Sequence, residues 1–132
     1  MASPESLELA RVWMQKAQHD LEVARLLIVD QKRLLDIAVY HCQQCAEKAF
    51  KAWLTAREIV FPKIHSLVKL VGMCQASDAR FAQLQEHAAM LNPFVDEFRY
   101  PRRVRELDLN EAQRALHLAE EVYAFCKKQL AG

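Results

Sequence analysis

The densest group of residues able to bind an anion lies between Asn92 and Leu107. Four guanidiniums surround one tyrosine within seven residues: Arg99, Tyr100, Arg102, Arg103 and Arg105. A guanidinium donates two parallel hydrogen bonds to a phosphate, and a tyrosine ring can stack on a base. The pattern predicts contact with the phosphate of a nucleotide or of RNA. The alternative is an ordinary charged loop, balanced by the acidic residues Asp96, Glu97, Glu106 and Asp108.

A second polar group has helical spacing and consists of His41, Gln44, Lys48 and Lys51. Steps of three and four residues place these side chains on one face of a helix, beside its apolar stripe. Lys48 and Lys51 could then contact the same nucleotide phosphate. The alternative is a solvated flank on which Glu47 and Lys51 form an ordinary ion pair one helical turn apart.

Other chemistries have weaker support. Cys42 and Cys45 have the spacing of half a zinc site, but both fall on an apolar stripe and no second pair completes the ligand set. His41 beside Cys42 points to a different helix face, so no Cys-His nucleophile is indicated. With only two glycines, the chain cannot form a Gly-rich phosphate loop. We predict neither a metal nor a cofactor.

Composition and charge set the broad class. The 132 residues are enough for one domain, which we predict over 1–132. With 18 Lys and Arg against 17 Asp and Glu, the charge field of the whole molecule does not select a nucleic acid or a membrane, so any binding surface must be local. Glu5, Glu8 and Arg11 interrupt any signal-peptide core, and the longest aliphatic run, 26–29, is too short to span a bilayer. We expect a cytoplasmic protein with reduced cysteines.

The residues above must be positioned by helices, because apolar residues recur in steps of three and four along most of the chain. The first stripe joins Leu7, Ala10, Met14, Ala17, Leu21, Ala24 and Ile28, with Ser3 as N-cap and Pro4 at the first helical position. Helices are predicted over 4–29 and 36–58, then around 67–74, from 77 or 78 to Pro93, and from Asp108 onward. The segment from Asn92 to Leu107 is predicted to be irregular. The fold class is therefore all-α, an antiparallel up-and-down bundle of four to five helices.

The second helix carries an additional apolar side. Phe50, Trp53 and Leu54 lie away from the main stripe and need a partner surface. A homodimer interface is one way to cover them.

Three segments in register resemble the HEPN domains of prokaryotes: YHCQQCAEKAFKAWL at 40–54, KIHSLVKL at 63–70, and RYP at 99–101. Residues 17–24 of the first helix fit the same pattern. The resemblance implies a helix bundle, commonly a symmetric dimer, encoded or fused beside a minimal nucleotidyltransferase, often as a toxin and antitoxin pair. The positions of this chain that match family positions are Gln44, Glu47, Lys48, His65, Arg99, Tyr100 and Pro101.

The family includes metal-independent endoribonucleases, which use an Arg followed four to six residues later by a His, and members described as nucleotide-binding. Counted from Arg99, the positions for that His hold Val104, Arg105 and Glu106. General acid-base cleavage therefore lacks its usual proton carrier at this place. Whether the chain is an enzyme stays open.

Three hypotheses follow. The first is a noncatalytic module that binds a nucleotide or RNA phosphate through Arg99, Arg102 and Arg103 and partners a nucleotidyltransferase. The second is an endoribonuclease in which Arg99 stabilises the transition state and a His from elsewhere in the chain, or from a second subunit, transfers the proton. The third is a protein-interaction scaffold.

Overall fold

The computed structural model describes residues 2–100 and 106–131. Within them lie six α-helices: α1 (Pro4–Asp30), α2 (Leu35–Ala56), α3 (Leu67–Ser77), α4 (Gln85–Leu91), α5 (Pro93–Arg99) and α6 (Leu109–Ala131). Two 3-10 segments, Lys32–Leu34 and Ala79–Leu84, precede α2 and α4. No β-strand occurs in this part of the chain, and the predicted all-α class is confirmed.

The bundle is antiparallel and up-and-down, with α2 at its centre. The short connection Lys32–Leu34 turns α2 back along α1, and these two helices form the most extensive contact in the fold. α6 packs along both of them, while α3 and α5 cover other sides of α2. Most residues of α2 are consequently buried, including polar ones.

The first helix begins as its sequence predicts. The Ser3 hydroxyl accepts a hydrogen bond from the backbone N–H of Ser6 at 3.1 Å, and Pro4 occupies the first turn. The predicted stripe is buried from Ala10 to Ile28, whereas Leu7 is half exposed.

The second apolar side of α2 is covered from within the chain. Phe50, Trp53 and Leu54 are buried, and the ring of Phe81 lies 4.6 Å from that of Trp53 and 6.4 Å from that of Phe50. The expectation that a second copy would cover this side is wrong, because the 3-10 segment Ala79–Leu84 folds back over it.

The segment predicted to be irregular contains a helix. Phe94 and Val95 of α5 are buried, and their helix packs on α2. Pro93 ends α4 but stands at the first position of α5, where its missing N–H removes no helical bond. Because Asn92 keeps helical backbone angles, α4 and α5 together form one kinked unit, and on that count the bundle has five helices.

The last helix is capped as predicted. The Asp108 carboxylate accepts a hydrogen bond from the Glu111 N–H at 2.7 Å. Fully buried positions follow at 112, 115, 119, 122 and 126, while Leu116 and Tyr123 of the predicted stripe lie at its edge. Among the helices described, none has the length and apolar character needed to cross a bilayer.

Candidate functional site

Two carboxylates buried against α2 organise the polar residues of the site. Asp20 comes from α1, and its side chain is only 9% exposed. Glu47 comes from α2 itself and is equally well buried. A buried carboxylate must be paired or fully hydrogen-bonded, and each of these collects its own set of donors.

The first network joins Asp20, His41 and Lys48. Nδ1 of His41 lies 2.8 Å from one carboxylate oxygen of Asp20, and Nζ of Lys48 lies 2.6 Å from the other. An ionised carboxylate only accepts hydrogen bonds, so the proton of a neutral imidazole resides on Nδ1. Nε2 of His41 is then left as an acceptor, on a ring that is a quarter exposed.

The second network surrounds Glu47. Nζ of Lys51 lies 3.0 Å from one of its oxygens, and Nδ1 of His65 lies 3.0 Å from the other. The amide groups of Gln43 and Gln44 also donate to this carboxylate, at 3.5 and 3.4 Å. Gln43 donates in addition to the carbonyl oxygen of His65 and thereby ties the start of α3 to α2.

The structure separates the polar residues that share spacing on α2. His41 and Lys48 belong to the Asp20 network, whereas Gln44 and Lys51 belong to the Glu47 network. The Lys51 ammonium is buried and also lies 5.6 Å from the centre of the Trp13 ring. Lys48 and Lys51 are thus held by different carboxylates, Asp20 and Glu47. The alternative of a solvated flank is wrong for Gln44 and Lys51, although the Glu47–Lys51 pair itself is present.

Arg99 ends α5 at the surface. Its side chain is exposed, and within the described part of the chain no acidic group forms an ion pair with it. The backbone N–H of Tyr100 closes the helix by donating to the carbonyl of Asp96 at 2.8 Å, and the Tyr100 ring is 63% exposed. Pro101, Arg102 and Arg103, which the sequence also assigns to this surface, lie outside the described residues.

An aromatic contact connects the end of α5 to α2. The ring of Phe98 stacks on that of Tyr40, with centroids 4.1 Å apart and planes 21° apart. The Tyr40 ring in turn meets the His41 ring edge-on at 5.4 Å. The Phe98–Tyr40 stack therefore holds the end of α5 against α2, next to His41.

Sequence reasoning did not assign a role to Asp20, Tyr40 or Phe98. The burial of Asp20 could have been predicted from the sequence. It lies three residues after Ala17 and four before Ala24, and it therefore shares the buried face of α1. A charged residue on a buried face requires a partner. The spacing within α1 does not identify that partner, which comes from α2.

The cysteines of the possible half zinc site are core residues. All four cysteines of the chain are free and buried. Burial raises the pKa of the Cys42 thiol to about 12 and raises that of Cys45 further. Metal binding and nucleophilic attack both require a thiolate, and this environment disfavours that form.

Comparison with known proteins identifies the chain. The profile described as the HEPN domain matches residues 10–129, which is nearly the whole sequence. The chain belongs to the HEPN family. The sequence resemblance is thereby confirmed.

A solved structure supports the HEPN fold. The crystal structure titled as that of ST0689, an archaeal HEPN homologue, is similar with a TM-score of 0.74 and 25% sequence identity. The similarity covers 92% of the present HEPN chain and 97% of the archaeal one.

A curated relative matches a shorter part. The protein named "Putative toxin MJ1304" from Methanocaldococcus jannaschii is 39% identical over 56 residues. The match spans 42% of this HEPN chain and 36% of that relative's length.

Proposed function

We propose that this HEPN chain is the nucleotide- or RNA-phosphate-binding component of a cytoplasmic toxin-antitoxin-like pair with a minimal nucleotidyltransferase. The observation that carries the proposal is the exposed side chain of Arg99 at the end of α5, which has no acidic partner among the described residues. Tyr100 offers an exposed ring beside it, and Arg102 and Arg103 follow within four residues.

The two networks on α2 indicate different roles for the remaining candidate residues. The His41 ring contacts the Tyr40 ring, and His41 shares the Asp20 carboxylate with Lys48, so we include both residues in the proposed site. Gln44 and Lys51 are engaged with Glu47, and we assign them to supporting the shape of α2 rather than to touching the ligand. The name of the M. jannaschii relative supports the toxin-like role.

Binding is tested with a fluorescently labelled, mixed-sequence single-stranded RNA of about 20 nucleotides and separately with ATP. Replacing Arg99 with alanine removes charge-assisted hydrogen bonds of about 1.5–3 kcal/mol, so we expect affinity to fall about 10- to 100-fold. Arg11→Ala is the matched control, because Arg11 is an exposed arginine on α1 paired only with Glu8. Equal affinities for the wild type, Arg99→Ala and an Arg102→Ala/Arg103→Ala double variant would contradict the proposal and favour a protein-interaction scaffold.

We also propose that the chain forms a homodimer through α1. One face of that helix exposes apolar side chains, with exposures of 36–62% for Leu9, Val12, Val23 and Leu26. Light scattering after size exclusion is expected to give twice the chain mass, and Leu26→Glu is expected to reduce it to the monomer. A wild-type monomer at all micromolar concentrations argues against this interface.

A further inference from the structure

The solvent-facing side of α1 carries a second regular series of residues, which we call the outer stripe. Its six exposed members follow one another in steps of three and four: Leu9, Val12, Lys16, His19, Val23 and Leu26. The four apolar members are 36–62% exposed. At about 100° per residue, all six project within an arc of about 100°, centred about 150° from the buried stripe. α1 therefore has two faces with heptad spacing, one packed inside the bundle and one exposed to solvent.

The outer stripe has the same order of residue types from either end. A leucine and a valine are followed by a lysine and a histidine, and then by a valine and a leucine, spaced symmetrically about the midpoint between residues 17 and 18. Glu5 and Asp30 continue the series, so an acidic side chain marks each end of the apolar stripe. An isologous interface requires this symmetry, because a two-fold axis makes residue i contact residue j while j contacts i. A surface for a different protein does not require it, so the symmetry favours a second copy of this chain as the partner.

We propose that the homodimer through α1 is antiparallel, with its two-fold axis passing between residues 17 and 18. The inference rests on the homodimer in the proposed function and adds its geometry. Leu9 packs on the partner subunit's Leu26, and Val12 packs on the partner subunit's Val23. Steps that average 3.5 residues suit two helices that cross at about 20° and interdigitate their side chains.

The two polar residues at the centre of the outer stripe determine the register. In the antiparallel arrangement each Lys16 faces the partner subunit's His19, whose imidazole in its neutral form accepts a hydrogen bond from the ammonium. A shift by one heptad would place both polar residues against valine or leucine and would leave one valine and one leucine of each copy uncovered. A parallel arrangement would place Lys16 directly opposite its own copy. A lysine within such a stripe specifies the register of paired helices at some cost in stability.

The antiparallel register determines distances that a cross-linker can measure. Leu9 and Leu26 are 17 residues apart, which is about 26 Å along α1. Residue 9 of one copy therefore lies beside residue 26 of the other copy and about 26 Å from its own counterpart. A thiol cross-linker can be directed to introduced cysteines, because the four native cysteines are buried.

Cysteine cross-linking tests the arrangement on the full chain. Leu9→Cys and Leu26→Cys are purified separately, one of them labelled with nitrogen-15, and each is treated with a short bismaleimide alone and after mixing. Because like positions lie about 26 Å apart, we expect the product that joins the two different variants, identified by its mass, to exceed each product of like chains at least about 10-fold. Gln113→Cys, at an exposed position on α6, is the matched control and is expected to give no cross-linked dimer.

A charge substitution at the centre of the outer stripe gives an independent readout. In His19→Glu each new carboxylate faces the partner subunit's Lys16, and the two ion pairs are expected to lower the dissociation constant of the dimer about 2- to 30-fold at low salt. In a parallel pair the same substitution places two carboxylates opposite each other and raises that constant. Sedimentation equilibrium measures the change.

The possible results separate the register from the dimer itself. A mixed cross-linked product together with tighter association of His19→Glu supports the antiparallel register. Cross-linking between like chains, or a His19→Glu variant that dissociates more readily than the wild type, overturns the register and leaves the homodimer intact. A wild-type dimer that gives no cross-linked product overturns both the register and the α1 interface. A wild-type monomer overturns the homodimer as a whole, whereas RNA binding through Arg99 is measured separately and does not depend on it.

Discussion

Glu47 illustrates how single residues of this HEPN chain combine stability with positioning. Its carboxylate is buried yet receives donors from Lys51, His65, Gln43 and Gln44. Removing two charges from water is costly, and the cost is offset only when the remaining hydrogen-bonding positions are filled. Loss of one partner is therefore more damaging than the small net value of the pair suggests.

We predict that Glu47→Ala lowers the free energy of unfolding by about 3–5 kcal/mol, because the buried Lys51 ammonium loses its counter-charge. Urea titration followed by circular dichroism measures the change. Glu8→Ala is the matched control, since Glu8 and Arg11 are 62% and 79% exposed and such pairs contribute about 0–1 kcal/mol. Equal losses in the two variants would show that the Glu47 network contributes no more than a surface ion pair.

The sequence identified the polar residues of the candidate site more reliably than the residues with which they pair. The exposed ends of Arg99 and Tyr100 followed from a dense charge cluster, which requires no knowledge of the fold. Lys48 and Lys51 were expected to act together, because helical spacing describes one helix only. Their separation depends on Asp20, which reaches α2 from α1, and on the burial of Glu47 beneath His65.

Helix α5 carries the proposed binding site at its C-terminal end. It is seven residues long, too short to be stable by itself, so its tertiary contacts hold it in helical form. Phe94 and Val95 bury its beginning, while the stacked rings of Phe98 and Tyr40 hold its end.

Phe98→Ala should weaken RNA binding about 3- to 10-fold, because it removes a stacked pair worth about 0.5–1.5 kcal/mol and frees the turn carrying Arg99. The Phe98 ring is partly exposed, so the melting temperature should change little. Anisotropy titration and thermal unfolding measure the two effects. Val29→Ala, at an exposed apolar position near the end of α1, is the control for both. Unchanged affinity in Phe98→Ala would mean that the stack does not position Arg99.

The long helices were predictable, and the short ones were less so. α1 ends one residue beyond the predicted limit and α2 ends two residues before it. Both agree closely because an apolar period of many turns defines each helix, and Ser3 also caps the start of α1. α5 was missed because two turns cannot display a period. The cover over Phe50 and Trp53 was missed because Phe81 returns from a later segment, and the pattern within α2 contains no information about that return.

For the molecule as a whole, the buried thiols link folding to alkaline pH. Burial raises the pKa of Cys42 and of Cys74 to about 12 and raises that of Cys126 well above its ordinary value of 9.0. Folded thiols stay protonated where unfolded ones ionise. Their contribution to stability is complete below pH 9 and is lost as pH rises from about 9 toward 12.

We predict that the free energy of unfolding decreases between pH 8.5 and about 10.5, and that Cys42→Ala and Cys74→Ala each reduce that decrease, because each removes one thiol that ionises only on unfolding. Guanidinium titrations across this range measure the slope. The same variants at pH 7 serve as the reference for the packing loss. Parallel curves for the variants and the wild type would assign the alkaline loss to other groups.

The central place of α2 also has a consequence for how the chain is made. α1 and α2 are neighbours in sequence and can pair as soon as both have left the ribosome. Of the described helices, α6, which packs along both, emerges last. At about 5–20 residues per second, the interval between the end of α2 and the end of α6 is about 4–15 s. During that time the groove that receives α6 is open, and a nascent chain of this protein passes through a period in which chaperones can bind its apolar residues.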